Sequence, residues 1–353
     1  MAKEEILEKI EELHQSPIYA MSLGSKELFH SNFWAWIMEQ DEADFGRTFV
    51  NFFFSDVNTA DYVVTRENKH RDITITFSVD GRPIDYVIEN KLKSVPTKKQ
   101  LENYSCDKGV LTGLSKPIFE MPTKWHFVSY EEICQKLRSL EIKDHFIKNI
   151  VYEYCNNLDD LQNILIFSLS ESPNELCYEP SIIDDLVKIR VHDIFKKIKA
   201  QDFVKGCQKF KDKYSETING WTYETDFGYN NGNPTISFYF SKEIKIDNEK
   251  TWENKIGVQI EGDQFRLFLV LKDHKNDETF KLGCDELNWF EKIKNKKFLG
   301  NSTSMRKSYC KYWDHWIYQY FTIDKEWRSY EKLTNEIEKQ LDRVKNIILS
   351  GKI

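Results

Sequence analysis

Apolar residues recur at intervals of three and four near the start of the chain, which is the spacing of one helix face. A first helix is predicted over 3–14 from four such positions: Ile6, Leu7, Ile10 and Leu13. A second helix is predicted from about Ser25 to Met38. Its expected buried face consists of four apolar residues: Phe29, Phe33, Trp36 and Ile37.

Alternation of apolar and polar residues then predicts three strands, over 62–68, 72–79 and 84–92. Asp80-Gly81, between the last two strands, is a strong hairpin signal. After Pro96, Thr97 and Gln100 match the capping box that opens a helix. A strand over 124–130 and helical patterns over 131–170 follow, so this order of elements predicts a mixed α/β domain.

The second half has a different pattern. Between Trp221 and Lys281 it contains three β-rich runs, at 235–240, 255–260 and 265–271. A long amphipathic helix is predicted from Glu326, because apolar residues continue there at helical spacing. We therefore predict two domains, an α/β domain over 1–175 and an α+β domain over 176–353 that binds substrate or a partner. The boundary rests on the turn signal around Pro173.

Composition narrows the class of protein. The chain has 353 residues, a length typical of two domains, and 14% of them are aromatic, which provides material for cores. Its seven cysteines form no C-x-x-C pair, which argues against a disulfide framework and a structural zinc site. No stretch approaches the ~20 apolar residues that span a bilayer, and the acidic start lacks a signal-peptide apolar region. These features predict a cytoplasmic protein without a membrane partner.

The hairpin carries the first candidate chemistry. If Asp80-Gly81 is a two-residue turn, Val79 pairs with Arg82 and Asp72 falls directly opposite Glu89. Directly opposed side chains share a face, with Cβ atoms roughly 4.5–5.5 Å apart. Lys91 lies one pleat further on the same face. Two carboxylates beside an ammonium predict a site for Mg²⁺ or Mn²⁺ and a phosphate.

Other interpretations of these residues stay open on spacing alone. Glu89 and Lys91 also fit a solvated ion pair, and an odd-length loop would place Asp72 and Glu89 on opposite faces. Asp85 shares the face of Glu89, but four residues along a strand is ~13 Å, too far to bind the same ion. Gln100 and Tyr104 share one helix face.

Gln100 and Tyr104 also have ordinary structural interpretations, as a helix cap with Thr97 and as core packing respectively. On the predicted second helix, four residues form a stripe: Glu27, His30, Ser31 and Trp34. A lone histidine such as His30 on a helix is more often structural than a metal ligand.

Taken in order, these residues resemble the PD-(D/E)XK nuclease superfamily, particularly its RecB-type exonuclease-like branch. The resemblance lies in Asp72, in the run VIENK that ends at Lys91, and in Gln100-x-x-x-Tyr104. The stretch KELFHSNFWAWI at 26–37 is similar to the opening helix of an uncharacterised bacterial PD-(D/E)XK family. Arg71 stands where many members have proline, and nothing in the second half shares the resemblance.

The resemblance implies a restriction-endonuclease-like core, a mixed central sheet flanked by helices, that hydrolyses phosphodiester bonds in DNA with Mg²⁺ or Mn²⁺. Asp72 and Glu89 would bind the ion, assisted by the backbone carbonyl of Asn90. Lys91 would orient and activate the attacking water or stabilise charge on the phosphate. Gln100 and Tyr104 would hold the substrate backbone or orient the lysine.

For the upstream acidic residue of this site, the resemblance implies Glu27 first, with His30 or Glu67 as alternatives.

The net charge of −7 by itself disfavours a nucleic-acid partner, since such proteins usually carry a basic footprint. Two local clusters change this expectation, one at 91–99 and one at 292–311, the latter with aromatic residues interleaved. Basic side chains bind phosphates and aromatic rings stack on unpaired bases. The predicted substrate-binding residues are Lys93, Lys98, Lys99, Lys296, Lys297, Arg306 and Lys307. The other interpretation of 292–311 is a solvated basic face beside an aromatic core.

Other enzyme classes lack support, because the chain has no P-loop, H-E-x-x-H, G-x-S-x-G or G-x-G-x-x-G pattern. Two hypotheses remain beside the nuclease. One is a catalytically inactive nucleic-acid-binding module with the same fold. The other is a protein-interaction component of a bacterial defence or mobile-element system, with the C-terminal half as docking or homo-oligomer surface.

Overall fold

A computed structural model describes residues 2–25, 27–40, 45–57, 61–68, 70–92, 96, 98–247, 250–271, 287, 289–290, 306–309 and 316–353. The chain divides into two compact units. The first consists of Met1–Glu171 and Glu179–Phe195, and the second of Ser172–Tyr178 and Lys196–Ile353. The predicted boundary at 175 falls in the short segment 172–178, which belongs to the second unit.

The first unit begins with four helices: α1 (Lys3–Gln15), α2 (Pro17–Ser25), α3 (Glu27–Met38) and α4 (Phe45–Phe53). Three strands and a short helix follow: β1 (Asp61–Asn68), β2 (Arg71–Val79), β3 (Arg82–Lys91) and α5 (Lys98–Asn103). The remaining elements are β4 (Lys108–Gly113), β5 (Trp125–Ser129), α6 (Tyr130–Arg138), α7 (His145–Ser170) and α8 (Ile183–Lys188). The predicted helices and strands of this region are confirmed, whereas α2, α4, α8 and β4 were not predicted. Thr97, the predicted cap of α5, lies outside the described residues, and Tyr104 follows the end of α5 instead of lying on it.

The five strands form one mixed sheet in the order β1-β2-β3-β4-β5. The β1–β2 and β2–β3 pairs are antiparallel, and the β3–β4 and β4–β5 pairs are parallel. β4 escapes prediction because it is buried between two strands along nearly its whole length and so lacks an alternating pattern. The predicted α/β class with a mixed central sheet is confirmed.

The expected buried face of α3 is wrong in part. The helix buries six residues, His30, Ser31, Trp34, Ala35, Ile37 and Met38, while Phe29, Phe33 and Trp36 are only half-buried. Phe33 instead lies at the side of the helix, 4.3 Å from the ring of Tyr154 in α7. The polar residues His30 and Ser31 are buried beside polar partners: Nδ1 of His30 lies 2.9 Å from the hydroxyl of Tyr154, and Oγ of Ser31 accepts from Nδ2 of Asn90 at 3.4 Å.

The second unit has helices α9 (His192–Gly206), which begins in the last residues of the first unit, and α10 (Lys209–Lys213). Its strands are β6 (Thr222–Asn230), β7 (Asn233–Asp247), β8 (Lys250–Glu261), β9 (Gln264–Val270), β10 (Arg306–Tyr309) and β11 (Trp316–Thr322). They form an antiparallel sheet in the order β10-β11-β9-β8-β7-β6.

The predicted C-terminal helix, α11 (Tyr330–Leu349), starts after a 3₁₀ turn at Lys325–Trp327 and packs on β7 and β8. The expected α+β composition of the second half is therefore confirmed. In the described part of the chain, no helix is both long and apolar enough to cross a membrane. The cytoplasmic location stays a prediction.

Candidate active site

The register of the β2–β3 hairpin is the predicted one. Val79 pairs with Arg82, and the ladder continues to Ile73 and Ile88. The two turn residues, Asp80 and Gly81, have φ angles of 50° and 72°, as a two-residue hairpin turn with a left-handed backbone requires. The alternative of an odd-length loop is therefore excluded, and the next position of the register places Asp72 across from Glu89.

Asp72 lies where the regular sheet pairing is interrupted on both sides. The described β2–β3 ladder ends at Ile73–Ile88, and the β1–β2 ladder omits a pair at Asp72, opposite Glu67, whose φ is 52°. In place of a ladder pair, the backbone N–H of Asn90 donates to Oδ2 of Asp72 at 2.7 Å. The carboxylate of Asp72 is thereby held beside the Glu89–Lys91 segment.

Among the residues that the structure describes, Glu89 makes its hydrogen bonds through one of its two carboxylate oxygens. Oε1 accepts from Nζ of Lys91 at 2.7 Å and from Nε2 of Gln100 at 2.8 Å. Oε2 is buried and has no hydrogen-bond partner among the described residues. The whole residue is only 2% exposed. A buried carboxylate oxygen without a partner is costly, and a bound water or cation would offset that cost.

The charges at the site do not balance. Burial and the neighbouring charge of Glu89 raise the pKa of Asp72 to about 7. Burial also raises the pKa of Glu89, although Lys91 opposes this effect. Burial alone would lower the pKa of Lys91, but the charge and hydrogen bond of Glu89 raise it. Half-buried Asp72 and buried Glu89 therefore share the ammonium of Lys91, which among the described residues leaves negative charge that a cation would neutralise.

Glu27, at the first position of α3, is the best supported upstream residue. Its charge contributes to the raised pKa of both Asp72 and Glu89. His30 is buried among aromatic rings, with Nδ1 2.9 Å from the hydroxyl of Tyr154. Glu67 is exposed on β1. Among the three candidates, these observations favour Glu27.

Gln100 and Tyr104 form a hydrogen-bonded chain that ends at Glu89. Nε2 of Gln100 donates to Oε1 of Glu89 and, at 3.1 Å, to the hydroxyl of Tyr104. The hydroxyl of Tyr104 donates to the carbonyl of His70 at 2.9 Å, and its ring packs on Trp125. Tyr104 therefore contributes to both the core and the site, and Gln100 shares the acceptor Oε1 of Glu89 with Lys91.

Two cations that sequence reasoning did not place at the site fix the loop after α5. Arg71 is 5% exposed and donates to the carbonyl of Ser105 and, at 3.3 Å, to Oδ2 of Asp85. Nζ of Lys124 donates to the carbonyls of Tyr104 at 2.6 Å and Cys106 at 3.3 Å. Three consecutive carbonyls are thus bound by side chains, and we define this arrangement as the carbonyl clamp.

The clamp also accounts for two features of the sequence. Arg71, which stands in the position of the usual proline, has a structural role, and Asp85 is bound by Arg71 and by Thr76 at 2.8 Å. The contacts of Asp85 with Arg71 and Thr76 agree with the prediction that Asp85 binds no ion together with Asp72 and Glu89, which stays a prediction. Lys124 gives no motif-like signal, because it acts through backbone carbonyls that any residue could supply.

The predicted substrate-binding residues are distributed over both units. Lys98 and Lys99 are exposed on α5, the helix that carries Gln100, and Nζ of Lys98 lies 3.8 Å from Glu102. Arg306 and Lys307 belong to β10 of the second unit. The other three, Lys93, Lys296 and Lys297, and most of the basic cluster at 292–311 lie outside the described residues.

The donor set fits a hard divalent cation. Within the described ranges, no group of three or more His, Cys, Asp and Glu side chains is placed to hold a metal ion. Mg²⁺, however, is commonly bound through one or two carboxylates and takes its other oxygens from water and substrate. Asp72 and Glu89 match that pattern, and the partnerless Oε2 of Glu89 is the atom such an ion would satisfy. The role predicted for the carbonyl of Asn90 stays a prediction.

No protein family model matches this chain, and neither a curated protein nor a solved structure matches it significantly. The contacts and charges of the described residues are therefore the basis on which its function is inferred.

Proposed function

We propose that this chain is a Mg²⁺- or Mn²⁺-dependent nuclease with a restriction-endonuclease-like core, and that it hydrolyses phosphodiester bonds in DNA. The observation that carries the proposal is the carboxylate pair of half-buried Asp72 and buried Glu89, which has excess negative charge. Oε2 of Glu89 is buried and has no hydrogen-bond partner in the described part of the chain. Lys91 and Gln100 hold the other oxygen of Glu89. The mixed sheet and the order of these residues support the same class of enzyme.

Asp72 and Glu89 would hold the ion, with Glu27 contributing negative charge nearby. A bound divalent ion would polarise the phosphodiester and lower the pKa of an attacking water. Because the pKa of Lys91 is raised, its side chain is protonated at neutral pH. We infer that Lys91 stabilises negative charge on the phosphate, and that this role is favoured over that of a general base.

The other residues of the site prepare this arrangement. Gln100 donates to the same oxygen of Glu89 as Lys91, so the carboxylate is held with Oε2 available to an ion. Tyr104 supports Gln100 and is itself held by the carbonyl clamp. Lys98 and Lys99, exposed on the same helix, would contact substrate phosphates.

The test is cleavage of single- and double-stranded DNA, with matched RNA, in Mg²⁺, Mn²⁺ or chelator. We expect metal-dependent cleavage of DNA by the wild type and a loss of at least about 100-fold in Asp72→Asn and Lys91→Met, as for removal of a group that stabilises transition-state charge. Glu102→Gln, an exposed change on α5, is the matched control and should retain activity.

Failure of the wild type to cleave any of these substrates with either metal would contradict the proposal. So would cleavage by Asp72→Asn and Lys91→Met at the wild-type rate. Salt-sensitive DNA binding without metal binding or cleavage would instead favour the inactive nucleic-acid-binding module.

A further inference from the structure

Asn90 stands between the two site residues Glu89 and Lys91 in the sequence of β3. Its side chain points away from theirs, into the interior of the first unit. It is completely buried. Its amide Nδ2 donates to the backbone carbonyl of Glu27 at 2.9 Å and lies 3.4 Å from Oγ of Ser31. The first turn of α3 is therefore joined directly to the strand that carries Glu89.

The oxygen of the same amide, Oδ1, also has two hydrogen-bond partners. Oδ1 of Asn90 accepts from the hydroxyl of Tyr130, at the start of α6, and from Oγ1 of Thr112 in β4 at 3.3 Å. The carbonyl of Glu27 can only accept a hydrogen bond, so Nδ2 must face Glu27 and Oδ1 must face Tyr130. The orientation of the amide is thereby fixed.

Tyr130 is a buried residue whose hydroxyl reaches this network from a separate helix. It is 0% exposed, and its ring packs on His30 and Trp34 of α3. Burial and then the charge of Glu27 raise its pKa, which agrees with a position close to Glu27. Tyr130 thus contacts α3 through its ring and β3 through its hydroxyl.

We propose that Tyr130 and Asn90 are positioning residues that hold Glu27 against the Asp72–Glu89 pair. This inference rests on the proposed function, because it assigns the residues a role in metal binding at that site. The backbone of Asn90 already orients Asp72, and its side chain fixes the first turn of α3. Asn90 therefore sets the positions of Asp72 and Glu27 relative to its neighbour Glu89.

The first experiment measures Mn²⁺ binding to the full chain by titration calorimetry, which requires no catalytic turnover. Groups that orient metal ligands typically contribute about 10–100-fold to metal affinity. We expect Tyr130→Phe to weaken Mn²⁺ binding by about 10-fold, because the loss of one hydrogen bond leaves the amide of Asn90 less firmly oriented. At saturating Mn²⁺ the cleavage rate should recover most of its wild-type value.

Tyr154→Phe is the matched control. Tyr154 is 1% exposed, and its hydroxyl lies 2.9 Å from Nδ1 of His30. Both variants remove one buried tyrosine hydroxyl that contacts a polar side chain. We therefore expect similar losses of thermal stability from the two, but wild-type Mn²⁺ affinity only in Tyr154→Phe.

A double-mutant cycle tests whether Tyr130 acts through Glu27. In the Glu27→Gln background, adding Tyr130→Phe should weaken Mn²⁺ binding no further, since the group that it positions is already lost. If the two changes weaken binding independently, the role assigned to Tyr130 is refuted. Ser31→Ala, which removes a hydroxyl that donates to the carbonyl of Glu27 at 3.0 Å, is a milder second variant. It should weaken binding by several-fold, and unchanged affinity would also count against the proposal.

The outcomes separate this inference from the proposed function. A wild type that binds no Mn²⁺ overturns both. A wild type that binds Mn²⁺ and cleaves DNA, with unchanged affinity in folded Tyr130→Phe, overturns only the positioning role.

Discussion

Replacement of Asp72 by asparagine should make the metal-free protein more stable, although it abolishes the proposed activity. Asparagine has nearly the same shape, and its Oδ1 can still accept from the N–H of Asn90, which now donates to Asp72 at 2.7 Å. The change removes the half-buried member of the carboxylate pair, Asp72 and Glu89, that lies beside the ammonium of Lys91. A structural aspartate would show the opposite behaviour and would lose stability on replacement.

The pKa of Asp72 gives the size and the sign of this effect. It is about 7 in the folded protein against an ordinary value of 3.8. Asp72 therefore binds its proton more tightly when the chain is folded, and its contribution to stability, complete below pH 3.8, is lost as the pH rises through 7. At 1.36 kcal/mol for each pKa unit, the ceiling is about 4 kcal/mol. Partial exposure of Asp72 reduces our expectation to about 2 kcal/mol.

Urea denaturation of wild type and Asp72→Asn from pH 4 to pH 8, with chelator present, measures this difference. The stability gained by the variant should be small at pH 4 and should grow until the pH passes 7. Repeating the series with Mg²⁺ should stabilise the wild type, by about 2.7 kcal/mol at a concentration 100 times Kd, and should leave the variant almost unchanged.

Two results would refute this reasoning. In the first, Asp72→Asn is less stable than the wild type at pH 8 without metal, which would make Asp72 an ordinary structural residue. In the second, both proteins gain the same stability from Mg²⁺, which would place the ion elsewhere.

Three further predictions concern the surroundings of the site. Arg71→Met should lower kcat with little change in Mn²⁺ affinity, because it loosens the carbonyl clamp but removes no metal-binding group. Steady-state kinetics and calorimetry check this, and a rate equal to that of wild type would contradict it. Gly109→Ala should lower the free energy of unfolding by about 1–3 kcal/mol in urea denaturation, because a Cβ there would lie 2.4 Å from the buried ring of Trp125. The control is Gly206→Ala, where the added Cβ meets open space. Equal stability of the two variants would contradict the prediction. Replacing Lys98 and Lys99 by glutamine should lower DNA affinity and reduce the slope of log K against log salt concentration by about two. Fluorescence anisotropy titrations measure this slope, and an unchanged slope would exclude these lysines from the DNA interface.

Sequence reasoning succeeded where structure is decided locally. The turn at Asp80-Gly81 fixes the register of its own two strands, and that register brings Asp72 across from Glu89. The i, i+4 spacing of Gln100 and Tyr104 likewise predicts their contact, although α5 ends one residue before Tyr104. In each case the interaction depends on residues close together in the chain.

The parts that could not be predicted depend on distant partners. His30 and Ser31 look like the polar side of α3, yet they are buried because Tyr154 and Asn90 supply hydrogen-bond partners from elsewhere in the chain. The carbonyl clamp joins Arg71 and Lys124 to backbone atoms, which carry no side-chain signature. Such interactions leave no periodic pattern that sequence reasoning can detect.

The amide of Asn90 also has a consequence for the order in which the chain folds. The β2–β3 hairpin is local and can form early, since it closes only a short loop. The partners of the Asn90 side chain, by contrast, come from 63 residues before it at Glu27 and 40 residues after it at Tyr130. During synthesis, the site residues from Glu27 to Tyr104 therefore all emerge before α6, the helix that fixes their arrangement. We expect the nascent chain to bind the metal ion with full affinity only after α6 has packed against β3 and α3.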